Sequence, residues 1–264
     1  MPEISIGDAE LYYESHGDGP PLVLVSGLGG TAAFWAPNVS ELAQNFRVIT
    51  FDHRGIGGST KSLIRYSVGQ MADDVVKLMD ALEIERVALI GHSTGGCIGA
   101  IIAIDHPGRL SSLVISSSWT KADAYFTRLF ELRKSVLEVQ GPEAYVRDGS
   151  VFLYPPWWIA EHMDELERAE RRAVDDFPPA EIVLSRIEAI LAYDRVAELG
   201  SIEAPVLVHV ANDDIVTPPY FSEELHARIR NSSLHVIEKG GHFCPQTMAG
   251  EFRETVVSFL LEHG

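Results

Sequence analysis

A chain of 264 residues with 46% hydrophobic side chains can form one large α/β domain or two small ones. A net charge of −17 excludes nucleic acid or an anionic lipid surface as the principal partner. The two cysteines, Cys97 and Cys244, lack metal-ligand spacing and suit a reducing compartment without disulfides. The first residues carry neither the basic region nor the apolar run of a signal peptide, and no apolar run is long enough to span a bilayer. The expectation is a cytoplasmic protein without membrane, metal or cofactor.

Residues 4–6 and 11–14 alternate as a hairpin around Gly7 and Asp8. After Pro20 and Pro21, residues 22–25 form a continuous apolar run of the kind buried on both faces of a parallel sheet, and 48–51 form a second. Residues 34–46 between them have helical length. Ser67 and Gln70 make a capping box before Met71, Val75, Leu78, Met79 and Leu82, whose three-and-four spacing marks an amphipathic helix. Residues 86–90 read as a strand, 97–104 as an apolar helix and 113–115 as the next strand. Alternation stops at Trp119. From there to about Gly200 only helical patterns occur, with a Pro- and Trp-rich joint at 154–158, an acidic helix near 161–176 and an amphipathic piece at 182–191. Strands then return at 205–210 and 234–237, each followed by a helix, near 222–229 and 250–261.

Strands alternating with helices specify a parallel sheet covered on both faces, an α/β fold. The helical block follows a strand, so it lies over the carboxyl ends where such sheets bind ligands. The expected organisation is a core domain of residues 1–118 and 201–264, with a helical cap inserted at 119–200. No internal repeat is present.

The stretch Gly91-His92-Ser93-Thr94-Gly95 falls directly between a strand and a helix. A serine on so sharp a turn lifts its hydroxyl above the sheet, toward the positive end of the next helix. Ser93 is therefore the candidate nucleophile. A hydroxyl attacks only when a base takes its proton, and that base must be held in one tautomer. Asp213 and Asp214 follow the strand at 205–210, and Gly240-Gly241-His242 follows the last strand. Both loops offer the required residue in the order Ser, Asp, His. Asp213 reads most simply as a turn former bonded to local backbone, which favours Asp214 as the acid. His92 adjoins the serine but points away from it at a tight turn, which favours His242 as the base. The transition state also needs N–H donors for its oxyanion. Thr94 supplies one; Leu28, in the loop Ser26-Gly27-Leu28-Gly29-Gly30, is the expected second, Gly27 letting the backbone turn toward the site.

These motifs, with Phe51-Asp52-His53-Arg54-Gly55-Ile56-Gly57-Gly58-Ser59, resemble the α/β-hydrolase family over essentially the whole chain. The resemblance implies a mostly parallel eight-stranded sheet flanked by helices. Ser26 departs from the histidine usual in the family, although a backbone donor survives that change. The loop after the preceding strand, Ser116-Ser117-Ser118, holds no carboxylate, which again leaves the acid to Asp214. Within the family the chain is most similar to aminoacrylate hydrolases and 3-oxoadipate enol-lactonases, on residues 24–30 and the segment 151–155 with Trp158.

The resemblance implies a serine hydrolase of a small ester, enol-lactone, amide or enamine-type substrate, with direct water attack by His242 as a variant. A carbon–carbon bond hydrolase, a cofactor-free haloperoxidase-like esterase and a non-catalytic ligand receptor are the alternatives. Trp119, Phe126, Phe130, Tyr154, Trp157 and Trp158 either line the pocket or pack the cap. Arg128 and Arg133 either bind a substrate carboxylate or lie on the surface. The partner is a small molecule, and assembly is open between monomer and homodimer.

Overall fold

The structure, a computed structural model, describes residues 2–263. The strands β1 (Glu3–Ser5), β2 (Glu10–His16), β3 (Pro21–Val25) and β4 (Arg47–Phe51) are followed by β5 (Val87–His92), β6 (Leu110–Ser116), β7 (Val206–Ala211) and β8 (Ser232–Ile237). They form one sheet in the order β1-β2-β4-β3-β5-β6-β7-β8. β1 and β2 run antiparallel at one edge, and all pairings from β4 onward are parallel. The chain steps outward from β3 to β4 and then returns to the other side of β3 for β5. The loops leaving β3 and β5 therefore stand side by side at the carboxyl ends, at the point where strand order reverses.

The apolar runs explain the layers. In β3 and β4, Val23, Val25 and Ile49 face one core, with Met71, Val75, Leu78, Ile98 and Ile102 above them. Leu22, Leu24 and Val48 face the other, against Trp35, Leu42, Phe252, Val256 and Leu260. So α2 (Val68–Ala81) and α3 (Thr94–Asp105) cover one face, while α1 (Ala36–Leu42) and the last helix cover the other. Residues 94–103 of α3 are all buried, as a helix apolar all round must be.

Between β6 and β7 the chain runs through α4 (Ala124–Gln140), α5 (Pro142–Leu153), α6 (Pro156–Asp175) and α7 (Ala180–Leu191). α4 packs on α5 and α7, and α5 on α6. A bridge between Lys121 and Asp194 joins the two ends of this insertion. The chain finishes with α8 (Pro219–Arg228) after β7, then α9 (Cys244–Thr247) and α10 (Ala249–His263) after β8. No helix among the described residues is long and apolar enough to cross a membrane.

Three local expectations change. The helical region at 34–46 is a 3₁₀ turn, Ala32–Trp35, followed by the short α1 with Pro37 in its first turn. Ser67 caps α2 by accepting from the Gln70 N–H, but the Gln70 side chain turns to Asp74, so only half of the capping box forms. The joint at 154–158 ends earlier than its composition suggests, because Pro156 opens α6 and places Trp157 and Trp158 within a helix.

Several imidazoles are sealed in this core. Burial and the neighbouring His235 push His209 down to about 3, and burial also holds His53 and His92 well below the ordinary range. Below about pH 6.5 the unfolded chain binds protons at these positions that the folded chain refuses, so stability falls as pH falls toward the folded values. The melting temperature is expected to drop steadily from about pH 7 to about pH 4, and His209→Gln to make that slope shallower. A scanning-calorimetry series over this range checks it; an equal slope in both proteins would contradict the account.

Candidate active site

Ser93 sits between β5 and α3 with φ 56° and ψ −118°, a left-handed backbone that a serine adopts only under constraint. Its N–H donates to the Ser116 carbonyl at 2.8 Å. Its own carbonyl accepts from the Gly96 N–H at 2.9 Å and the Ser118 hydroxyl at 2.8 Å. The turn also needs bare backbone: a Cβ on Gly91 would overlap the Gly95 carbonyl, and one on Gly95 would overlap that of Val25.

His242 arrives on the loop after β8 and Asp214 on the loop after β7. His242 Nε2 lies 3.1 Å from Ser93 Oγ, and its Nδ1 lies 2.9 and 3.2 Å from the Asp214 oxygens. Asp214 also accepts from the Val216 N–H, the Thr217 N–H and the Thr217 hydroxyl at 2.8–2.9 Å. Burial works against its ionisation, but His242 and these donors outweigh burial and hold the carboxyl below its usual range. An ionised carboxylate only accepts, so Nδ1 carries the imidazole proton and the Nε2 lone pair faces the serine hydroxyl. Such a relay can take the serine proton and return it.

Asp213 does not bond to its local backbone. Its Oδ1 accepts from the N–H groups of Gly240 and Gly241 at 2.8 and 2.7 Å, joining the aspartate loop to the histidine loop. Gly241, at φ 64°, is boxed in by Pro155, and the Phe243 N–H donates to the Leu153 carbonyl at 3.0 Å. The insertion thus holds the histidine loop from the opposite side.

Gly27 is not in the left-handed region; its use is contact. A Cβ there would stand 3.1 Å from Ser93 Cβ, so the loop backbone is pressed against the serine. The left-handed residue is Gly30, whose N–H closes a turn on the Gly27 carbonyl at 3.0 Å. Asp52 brackets the loop, taking the Ala32 N–H at 2.7 Å and the Gly58 N–H at 2.8 Å. Thr94 is the first residue of α3, so its N–H has no partner one turn earlier in the helix.

Trp119, Phe126 and Phe130 pack in sequence at tilted angles with neighbouring ring centroids 4.5 Å apart. Tyr154 meets Phe243 edge-on and stacks on Trp158, which stacks on His162 at the kink of α6. The two arginines separate. Arg128 is exposed, whereas Arg133 is buried, with its guanidinium over Tyr145 at 4.8 Å and Phe130 at 5.4 Å. Among the described residues Arg133 has no acidic partner, and its Nε has no acceptor. His92 is sealed beneath the site, stacked on Phe34 at 4.8 Å, and makes no bond to Ser93. Sequence reasoning passed over Arg186 on α7, a fully buried arginine whose acceptors come from loops more than a hundred residues away.

A family model described as the alpha/beta hydrolase fold matches residues 20–245. A protein named "Putative carbamate hydrolase RutD" from Azorhizobium caulinodans is 40% identical over 262 residues, covering 99% of both chains. A protein of the same name from Caulobacter vibrioides is 42% identical over 267 residues, covering 98% of this chain and 99% of its own. The crystal structure of an enol-lactonase from Burkholderia xenovorans LB400 superposes with a TM-score of 0.91 at 27% identity, covering 98% of this chain and 100% of that one.

The two aspartates should separate in kinetics. Asp214→Asn is expected to lower kcat for p-nitrophenyl acetate by about 10⁴, since the imidazole loses its fixed tautomer. Asp213→Ala loses the two backbone bonds that tie the aspartate loop to the histidine loop, each worth about 1 kcal/mol, and should lower the melting temperature with a far smaller loss of kcat. Equal losses of kcat would reverse the two roles.

Proposed function

The chain belongs to the α/β-hydrolase family and is a hydrolase, and we propose that it cleaves a small acyl compound (an ester, enol-lactone, amide, enamine-type substrate or carbamate) through Ser93, His242 and Asp214. The relay of 3.1 Å from Ser93 Oγ to His242 Nε2 and 2.9 Å from His242 Nδ1 to Asp214 carries the reading. His242 takes the hydroxyl proton as Ser93 attacks the carbonyl carbon, and Asp214 stabilises the imidazolium that forms. The N–H groups of Leu28 and Thr94 hold the oxyanion. Collapse expels the leaving group with the proton from His242; water, deprotonated by the same imidazole, then releases the acid and restores Ser93. In this reading residues 119–200 act as a cap that excludes bulk water. The names of the RutD relatives and of the enol-lactonase support an acyl carbon as the point of attack.

The covalent route requires that Ser93→Ala abolish p-nitrophenyl acetate turnover and fluorophosphonate labelling together. Labelling that survived in the variant would place the nucleophile elsewhere. Turnover that survived without labelling would leave direct water attack.

Within this reading the substrate carries a carboxylate, and the observation favouring it is Arg133. A buried guanidinium without an acidic partner is costly unless an anion meets it. A carboxylated ester should therefore be preferred over its methylated form. Arg133→Gln should erase that preference by raising KM for the acid about 10- to 100-fold, the worth of one charge-assisted bond. Steady-state kinetics on the matched pair decides, and no preference in the wild-type protein removes the idea.

A further inference from the structure

Arg186 is the most tightly enclosed charged side chain of the insertion, with no accessible surface. Its Nε and Nη2 both donate to the Leu28 carbonyl, at 3.2 and 3.1 Å. Nη2 also donates to His53 Nδ1 at 3.0 Å, and Nη1 reaches the Arg54 carbonyl at 3.5 Å. All of these acceptors are neutral. Among the described residues no carboxylate lies within 4.0 Å, and burial pushes the guanidinium down to about 10. A buried cation held only by neutral groups is an expensive way to fasten a helix, since apolar side chains of similar volume serve stability as well or better. α7 has other fastenings too: the Ser185 hydroxyl accepts from the Tyr66 N–H at 2.9 Å, and Ile182 packs at Gly55.

What the guanidinium specifically fixes is the backbone of one loop. The Leu28 carbonyl belongs to the planar peptide between Leu28 and Gly29, so two bonds to it set the direction of that plane. On the other side of Leu28, the Gly27 carbonyl is held by Gly30, and Gly27 itself is pressed against Ser93. With both flanks held, the Leu28 N–H has one direction to point. We infer that Arg186 is a positioning residue for the oxyanion hole, reaching from the helical insertion into the core to lock the Leu28 peptide beside Ser93. The hole is then complete only with α7 docked, and closure of the insertion becomes part of assembling the site. This rests on Leu28 being an oxyanion donor.

The test compares wild type, Arg186→Lys and Arg186→Met by p-nitrophenyl acetate kinetics and by phenylboronic acid inhibition, the boronate adduct of Ser93 placing a tetrahedral anion in the hole. Circular dichroism checks folding. In Arg186→Met, kcat should fall about 10- to 100-fold, less than the ~10²–10³ lost when a donor is deleted outright. KM should stay within about threefold, because ground-state contacts are untouched. Boronate affinity should fall in step with kcat. Arg186→Lys keeps the charge but offers no fork for two bonds to one carbonyl, and should fall between the two. Methylguanidinium in the millimolar range should restore part of kcat to the Met variant only. If the Met variant does not fold, the Lys variant decides alone. Folded variants with unchanged kcat and boronate affinity, or with a change in KM alone, overturn the inference. A wild-type protein that binds no boronate overturns instead the reading on which it rests.

Discussion

The structure depends on holding one serine in a backbone conformation that it would leave if free. A non-glycine residue at φ 56° and ψ −118° costs on the order of 1–3 kcal/mol. Three hydrogen bonds to Ser93's own peptide groups meet that cost locally. The larger restraint is the parallel ladder. β5 is flanked by β3 and β6, both buried, so its end cannot shift without breaking pairings on two sides. The contact of Gly95 with the Val25 carbonyl then locks the start of α3 to the end of β3. The serine and the Leu28 loop come together because the sheet reverses its order at that point, and neither loop is long enough to wander.

The same logic extends to Asp214 and His242. They stand on consecutive strands, β7 and β8, paired in register from Val206 with Ser232 to Ala211 with Ile237. Parallel pairing puts the two loops at one edge, and Asp213 then ties them with bonds to two consecutive N–H groups. The adjacent aspartates thus divide the labour, one holding backbone and the other facing the imidazole. Closure from above comes through Leu153 and Pro155, so the His242 loop is fixed between core and insertion.

How much of this was legible follows from which interactions are local. Strands with continuous apolar runs could be read because a buried parallel strand must be apolar on both faces. The Ser, Asp and His could be read because each stands just past a strand end, where residue type and order are informative. The shortening of the first helix was hidden, since Phe34 and Trp35 satisfy either a helical or a 3₁₀ turn and packing against His92 and Phe252 settles the matter. Asp213 was misread because its partners lie 27 and 28 residues away, whereas turn formers are recognised by local bonds. Arg186 carried no signal at all. It sits in an amphipathic helix where an arginine ordinarily marks the wet face, and only the docking of α7 reveals that its side chain points inward.

The insertion therefore contains two buried arginines with opposite bonding states, and the difference bears on which of them keeps donors free. Arg186 spends its donors on backbone and a histidine. Arg133 lies on aromatic faces, against the bare backbone of Gly149, with its donors uncommitted among the described residues. A net charge of −17 repels anions at long range, but in physiological salt that field decays over about 8 Å. On α6 the carboxylates Glu161, Asp164, Glu165 and Glu167 face solvent. Between α4 and α5 the local dielectric is low and screening is weak, so around Arg133 one uncompensated guanidinium outweighs many distant carboxylates. Overall charge accordingly governs solubility and encounter, while the local potential inside the insertion is set by the few buried groups that lack a partner.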